Sequence, residues 1–297
     1  MKYNYNDDTL IHAIGFNPMK LEGILKYGII TDDYAKEHNI TYSRNYNFTL
    51  NRDMLNKVGN DSDINKIIEK ANKENIYLVR YFYISDDPLS AYEMYVKNGI
   101  SFIIEDVPFI YDKNQELIKR SDEVVVKKHI SKDKIQAIMI PEEYKNKKLD
   151  DLYMLPRNIL NYELIKSSAI NLIKYLENYN YHMDLEEITY LFKDLKTAFF
   201  SVESLDRNHN EYNDAMEDYK DIILEINGIL SENVYKCFSN ILNKEATVID
   251  MVDFINSKYD NKNIVYLESK GKVKWSKKNY LKYRMYQDVI LWKIKIM

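Results

Sequence analysis

The hydrophobic pattern of this chain changes period once, near residue 150, and that change limits the folds open to it. Before it, short apolar runs rich in β-branched and aromatic residues alternate with helical spacings. The runs are 10–14 (LIHAI), 76–84 (IYLVRYFYI), 100–104 (ISFII), the stretch that Glu123 opens with Val124, Val125 and Val126, and 135–140 (IQAIMI), stopped by Pro141. Residues 41–50 (TYSRNYNFTL) also read as extended. Between the runs, Pro18 opens a helix carrying Leu21, Ile24 and Leu25, with Gly28 as its left-handed cap. Ile64, Ile67, Ile68 and Ala71 mark a second helix, and Pro88 with Ala91, Met94 and Tyr95 a third, broken at Gly99.

After residue 150 the apolar positions fall on helical stripes. They are Ile165 to Leu176, Ile188 to Phe199, Ala215 to Leu230, a shorter one from Val234 to Leu242, and a fifth from Val248 to Ile255. A β-hairpin follows, with Lys270 and Gly271 in its turn. The charged run EEYKNKKLDD, with Pro141 and Pro156 about it, reads as a linker. The expected class is therefore α+β: a mixed or antiparallel sheet domain over 1–148, then an all-helical domain with a small hairpin over 149–297.

Composition narrows the chemistry. A chain of 297 residues with 45% hydrophobic residues suits two packed domains. Only 7 glycines are present, and neither G-x-G-x-x-G nor a Walker A pattern occurs, which argues against a Rossmann or P-loop phosphate cradle. The single cysteine, Cys237, lies on an apolar helical face beside Phe238 and Ile241 and reads as a buried thiol; one cysteine excludes a disulfide framework. His38, His129, His182 and His209 lack ligand spacing, so no metal is expected. A net charge of −4 argues against a protein that coats nucleic acid throughout. No run approaches the roughly 20 apolar residues of a membrane span, and the N-terminal segment lacks the apolar centre of a secretory signal. The expectation is a soluble, cytoplasmic protein that makes no use of a membrane.

One ordered pattern in the first half carries chemistry. His12 sits in the first strand, LEGILKYGII follows, and Tyr42-Ser43-Arg44 lies in an extended segment. ISFII comes next, and Ser121-Asp122-Glu123 leads into VVV. This order resembles the ADP-ribosyltransferase-like domains, over residues 8–142. What the resemblance implies is an NAD-dependent transferase that cleaves the nicotinamide–ribose bond, with NAD as substrate and a protein or nucleic-acid acceptor. It also implies a toxin, effector or phage-conflict role, in a cytoplasm or delivered into a host cell without a signal peptide. An NAD glycohydrolase differs only in what intercepts the reacting ribose.

The residue types suit that reaction. Glycosidic cleavage passes through an oxocarbenium-like state, and a carboxylate such as Glu123 stabilises the developing charge. His12, as a neutral imidazole, is a candidate for a ribose hydroxyl of the adenosine half. Ser43 is a candidate for the nicotinamide ribose and Arg44 for the pyrophosphate. Tyr46 and Tyr92 are alternative stacking partners for nicotinamide. Each has a structural reading too. A histidine on an apolar strand is commonly a satisfied core residue, Glu123 is also a plausible solvated strand-start acid, and adjacent strand residues such as Ser43 and Arg44 face opposite sides.

The final segment, residues 270–297, holds nine Lys or Arg and one acid, a net +8 that leaves −12 on the rest, with Trp275, Tyr280, Tyr283, Tyr286 and Trp292 interleaved. Basic residues among aromatics suit a nucleic-acid strand, and they equally suit an acidic face of the same protein. Two further readings therefore stand beside the enzyme: a catalytically silent binding module of the same fold, and a nucleic-acid-binding protein acting through this tail.

Overall fold

The computed structural model describes residues 9–40, 75–80, 99–111, 123–155, 162–205, 210–267 and 273–275. The chain divides into two compact units. One is built from the segments up to Lys147 and from Val248 onward, and the other spans Lys148–Thr247.

The first unit is built on an eight-stranded mixed sheet. Its strands are β1 (Leu10–Ile14), β3 (Asn75–Arg80), β4 (Ile100–Ile104), β5 (Ile110–Tyr111), β6 (Glu123–Lys127), β8 (Ile135–Pro141), β9 (Asn263–Leu267) and β10 (Val273–Trp275). The order is β10-β9-β8-β4-β1-β3-β6-β5, antiparallel except where β9 runs parallel to β8. Two-residue strands β2 (Ile29–Ile30) and β7 (His129–Ile130) form a separate ladder. β4 is buried at all five positions, as expected of a central strand covered on both faces, and this explains why ISFII shows no regular apolar–polar alternation.

Helix α1 (Pro18–Tyr27) starts where the sequence predicts. Asn17 caps it, its Oδ1 accepting the Lys20 N–H at 3.2 Å, and proline occupies the first turn, where its missing N–H costs nothing. It ends at Gly28, whose N–H donates to the Ile24 carbonyl at 2.8 Å. Gly28 has φ +83° with ψ −170°, so it lies in the glycine-favouring half of the map but not in the left-handed helical well. A Cβ there would collide with the Ile130 carbonyl. A six-residue helix, α2 (Asp32–Glu37), follows, with Thr31 Oγ1 accepting the Tyr34 N–H at 3.2 Å.

The second unit is helical: α3 (Tyr162–Glu177), α4 (Glu186–Ser204) and α5 (Asn210–Leu242). The two stripes expected on either side of residue 232 belong to one 33-residue helix, α5. Its buried apolar positions, Tyr219, Ile223, Ile226, Leu230, Val234, Cys237 and Phe238, hold a single face throughout.

Two expectations about organisation are corrected. The division into 1–148 and 149–297 captures the exit from the sheet unit but not the return. Helix α6 (Val248–Ser257) and the β9–β10 pair belong to the sheet unit, because β9 hydrogen-bonds to β8 and extends the sheet. The expected linker is also no loose segment. Leu149, Leu152, Met154 and Leu155 are buried, and Asn227 of α5 grips the backbone there. Asn227 Oδ1 accepts the Met154 N–H at 2.7 Å, and Nδ2 donates to the Leu152 carbonyl at 3.0 Å.

Candidate functional site

Of the residues singled out from the sequence, His12 and Glu123 lie among the described ones. Ser43, Arg44, Tyr46 and Tyr92 lie outside the described residues, as do the extended segment 41–50 and the helices expected near Ile64 and Pro88.

The sheet brings the strands of His12 and Glu123 near each other. β1 and β6 are separated by β3 alone, roughly 10 Å at two inter-strand spacings, although the residues are far apart in sequence. The register decides more. Ile11 pairs with Val79, and Val79 pairs with Glu123, so Ile11, Val79 and Glu123 form one row across the sheet. His12 is the next residue along β1 and pairs with Phe102. Neighbouring rows alternate between the two faces of a sheet. His12 and Glu123 therefore belong to rows on opposite faces, and the expectation that both line one cleft is corrected.

His12 continues a row of apolar partners: Phe102 on β4, Ile138 on β8 and Ile264 on β9. It is 7% exposed, and Phe102 and Ile138 are fully buried. That is the setting of a core histidine. Ser101, beside Phe102 and opposite Ala13, is buried with a hydroxyl that has no hydrogen-bond partner among the described residues.

The structure also gathers residues that spacing set aside. His38, at the end of α2, and His129, on β7, both stack on Tyr34. The His38 ring lies 3.9 Å from the Tyr34 ring at 19°, and the His129 ring 4.6 Å away at 12°. Nothing in a linear reading signals this, because His129 arrives through the β2–β7 ladder, which is two residues long. Among the described residues, no group of three or more His, Cys, Asp or Glu is arranged to hold a metal ion. Cys237 is buried. Among the described residues, no helix is long and apolar enough to cross a membrane.

No family model matches this chain, and no curated protein or solved structure matches it.

Proposed function

We propose that the chain is an NAD-dependent ADP-ribosyltransferase in which Glu123 is the catalytic carboxylate. The observation that carries this reading is the ordered motif set of the first half, with the Glu123 strand starting two strands away from β1 in one sheet. In the proposed reaction the nicotinamide–ribose bond breaks and nicotinamide leaves with the bonding electron pair. The ribose carbon becomes oxocarbenium-like, and the Glu123 carboxylate stabilises that charge. A nucleophile of a protein or nucleic-acid acceptor then bonds to the carbon and gives up its proton; water in that place makes the enzyme a glycohydrolase. Ser43 and Arg44 remain proposed contacts to the nicotinamide ribose and pyrophosphate, with Tyr46 or Tyr92 against nicotinamide. His12 is not retained as a partner of Glu123 in one cleft, because the register separates them.

That same register favours a second reading, a binding module of the same class without catalysis. The experiment that separates the two is single-turnover nicotinamide release from NAD by the wild type and by Glu123→Gln. The enzyme reading expects release that falls about 100- to 1000-fold in the variant while NAD affinity stays nearly constant, since the lost interaction matures in the transition state. Equal release by both proteins removes Glu123 from the mechanism. No release by either leaves the binding module.

A further inference from the structure

We infer that the His129–Tyr34–His38 stack is a binding platform for the planar base of a nucleotide. Two rings lying nearly parallel to Tyr34, at 3.9 and 4.6 Å, cannot share one of its faces without colliding. Tyr34 is therefore sandwiched, with one imidazole on each side. His129 is half-buried and forms the inner end, whereas His38 is exposed and forms the outer end.

The stack is held in place before any ligand arrives. His38 hydrogen-bonds through Nδ1 to the Tyr34 carbonyl at 2.9 Å, and His129 through Nε2 to the Tyr27 carbonyl at 3.3 Å. A carbonyl only accepts, so each of these ring nitrogens carries the proton and donates. The strand that carries His129 is fixed to the helix that carries Tyr34 in three ways. The β2–β7 ladder pairs Ile30 with His129. Thr31 donates its N–H to the Lys128 carbonyl at 2.9 Å. Lys128 Nζ lies 3.7 Å from Glu37 Oε2. Lys128 itself holds φ +62°, a conformation uncommon for a lysine, immediately before the stacked histidine.

A pinned three-ring stack with an exposed outer ring extends most readily by a fourth flat ring. The surroundings choose its chemistry. Lys36, Glu37 and Asn39 beside His38 are exposed and polar, which disfavours a greasy aromatic group. A nucleotide base, flat and polar at its edges, meets that condition, and stacking tolerates any base because every base has a π face.

The test uses the full chain, with AMP as the ligand and ribose 5-phosphate as the same phosphate without a base. Calorimetry or equilibrium dialysis is expected to show saturable AMP binding and markedly weaker binding of ribose 5-phosphate. His38→Ala, at an exposed helix end where refolding is not at risk, is expected to weaken AMP binding about 5- to 150-fold. His38→Tyr is expected to restore it. A parallel titration with single-stranded oligoadenylate distinguishes a free nucleotide from a base within a strand: tighter, strongly salt-dependent binding that also needs His38 identifies the strand as the source. The inference is overturned if AMP fails to saturate the protein up to about 10 mM. It is equally overturned if ribose 5-phosphate binds as well as AMP, or if His38→Ala leaves AMP binding unchanged. Base binding is read here as affinity, whereas catalysis by Glu123 is read as nicotinamide release, so either can fail without the other.

Discussion

The backbone N–H of Val248 donates to the Lys147 carbonyl at 3.0 Å, with the whole helical unit, Lys148–Thr247, strung between them. Ile249 donates likewise to the Lys145 carbonyl at 3.1 Å. The helical unit is thus an insertion whose entry and exit in the sheet unit are already in contact.

Joining Lys147 to Val248 through a short Gly-Ser linker should therefore leave the sheet unit folded. Closing two ends that already touch costs little chain entropy, and the deletion removes no strand of the sheet. The expected result is a soluble protein with a strand-rich circular dichroism spectrum and one cooperative melt. A chain without a melting transition would mean that the sheet unit depends on its insertion.

Within the insertion, Asn227 holds Met154 and Leu152 by two buried hydrogen bonds, while Ser231 Oγ donates to the Asp150 carbonyl at 2.6 Å. Asn227→Ala strands an amide N–H and a carbonyl in a site that is 8% exposed at the asparagine. The expected loss is about 2–4 kcal/mol, from two unsatisfied buried backbone groups. Urea titration of the full chain measures it. A loss below about 1 kcal/mol would show that water takes over both bonds.

What the sequence discloses and what it hides separate along physical lines. β1, α1, β4, β6 and β8 are local: each is written in its own residues, from the Asn17-Pro18 start to the Gly28 stop of α1. The insertion is not local. The stripe Val248, Met251, Val252 and Ile255 looks the same whether α6 packs on other helices or belongs to the sheet unit, and only the pairing of β9 with β8 decides. The opposite rows of His12 and Glu123 are hidden for the same reason, since strand order and register arise from pairing between distant segments. The Tyr34 stack depends on a two-residue ladder, too short to leave a period.

α5 is hidden by a different cause. The sequence divides it between the stripes ending at Leu230 and starting at Val234, yet one helix runs through both, with Gly228 near its middle. A Cβ at Gly228 would meet nothing within 4 Å, and the position is exposed. Gly228→Ala should therefore stabilise the helical unit by about 0.5–1 kcal/mol, by reducing the freedom of the unfolded chain at no steric cost. A rise in thermal midpoint without a change in the far-ultraviolet spectrum is the expected signature, and a fall would mean that α5 needs the glycine to bend.

The sheet unit should weaken at alkaline pH through Tyr266 of β9. Burial is the main cause holding this phenol neutral, with the carboxylates of Asp253 and Glu142 acting in the same direction, so that its pKa is pushed from 10.0 up to about 12. Burial and the 2.6 Å hydrogen bond that Tyr259 donates to Glu22 also raise the pKa of Tyr259. A raised folded-state pKa means that the folded protein keeps a proton which the unfolded chain releases first. The stabilisation is therefore complete below pH 10 and is lost as the pH rises towards about 12. Tyr266→Phe removes the titrating hydroxyl and keeps the ring that Lys145 covers, with Nζ 4.2 Å from its centroid. Urea unfolding at about pH 9 and about pH 11 should show a smaller loss in this variant than in the wild type. Lysines titrate over the same range in both proteins, so the difference between them isolates the tyrosine. Equal losses would show that Tyr266 ionises in the folded protein as freely as in the unfolded chain.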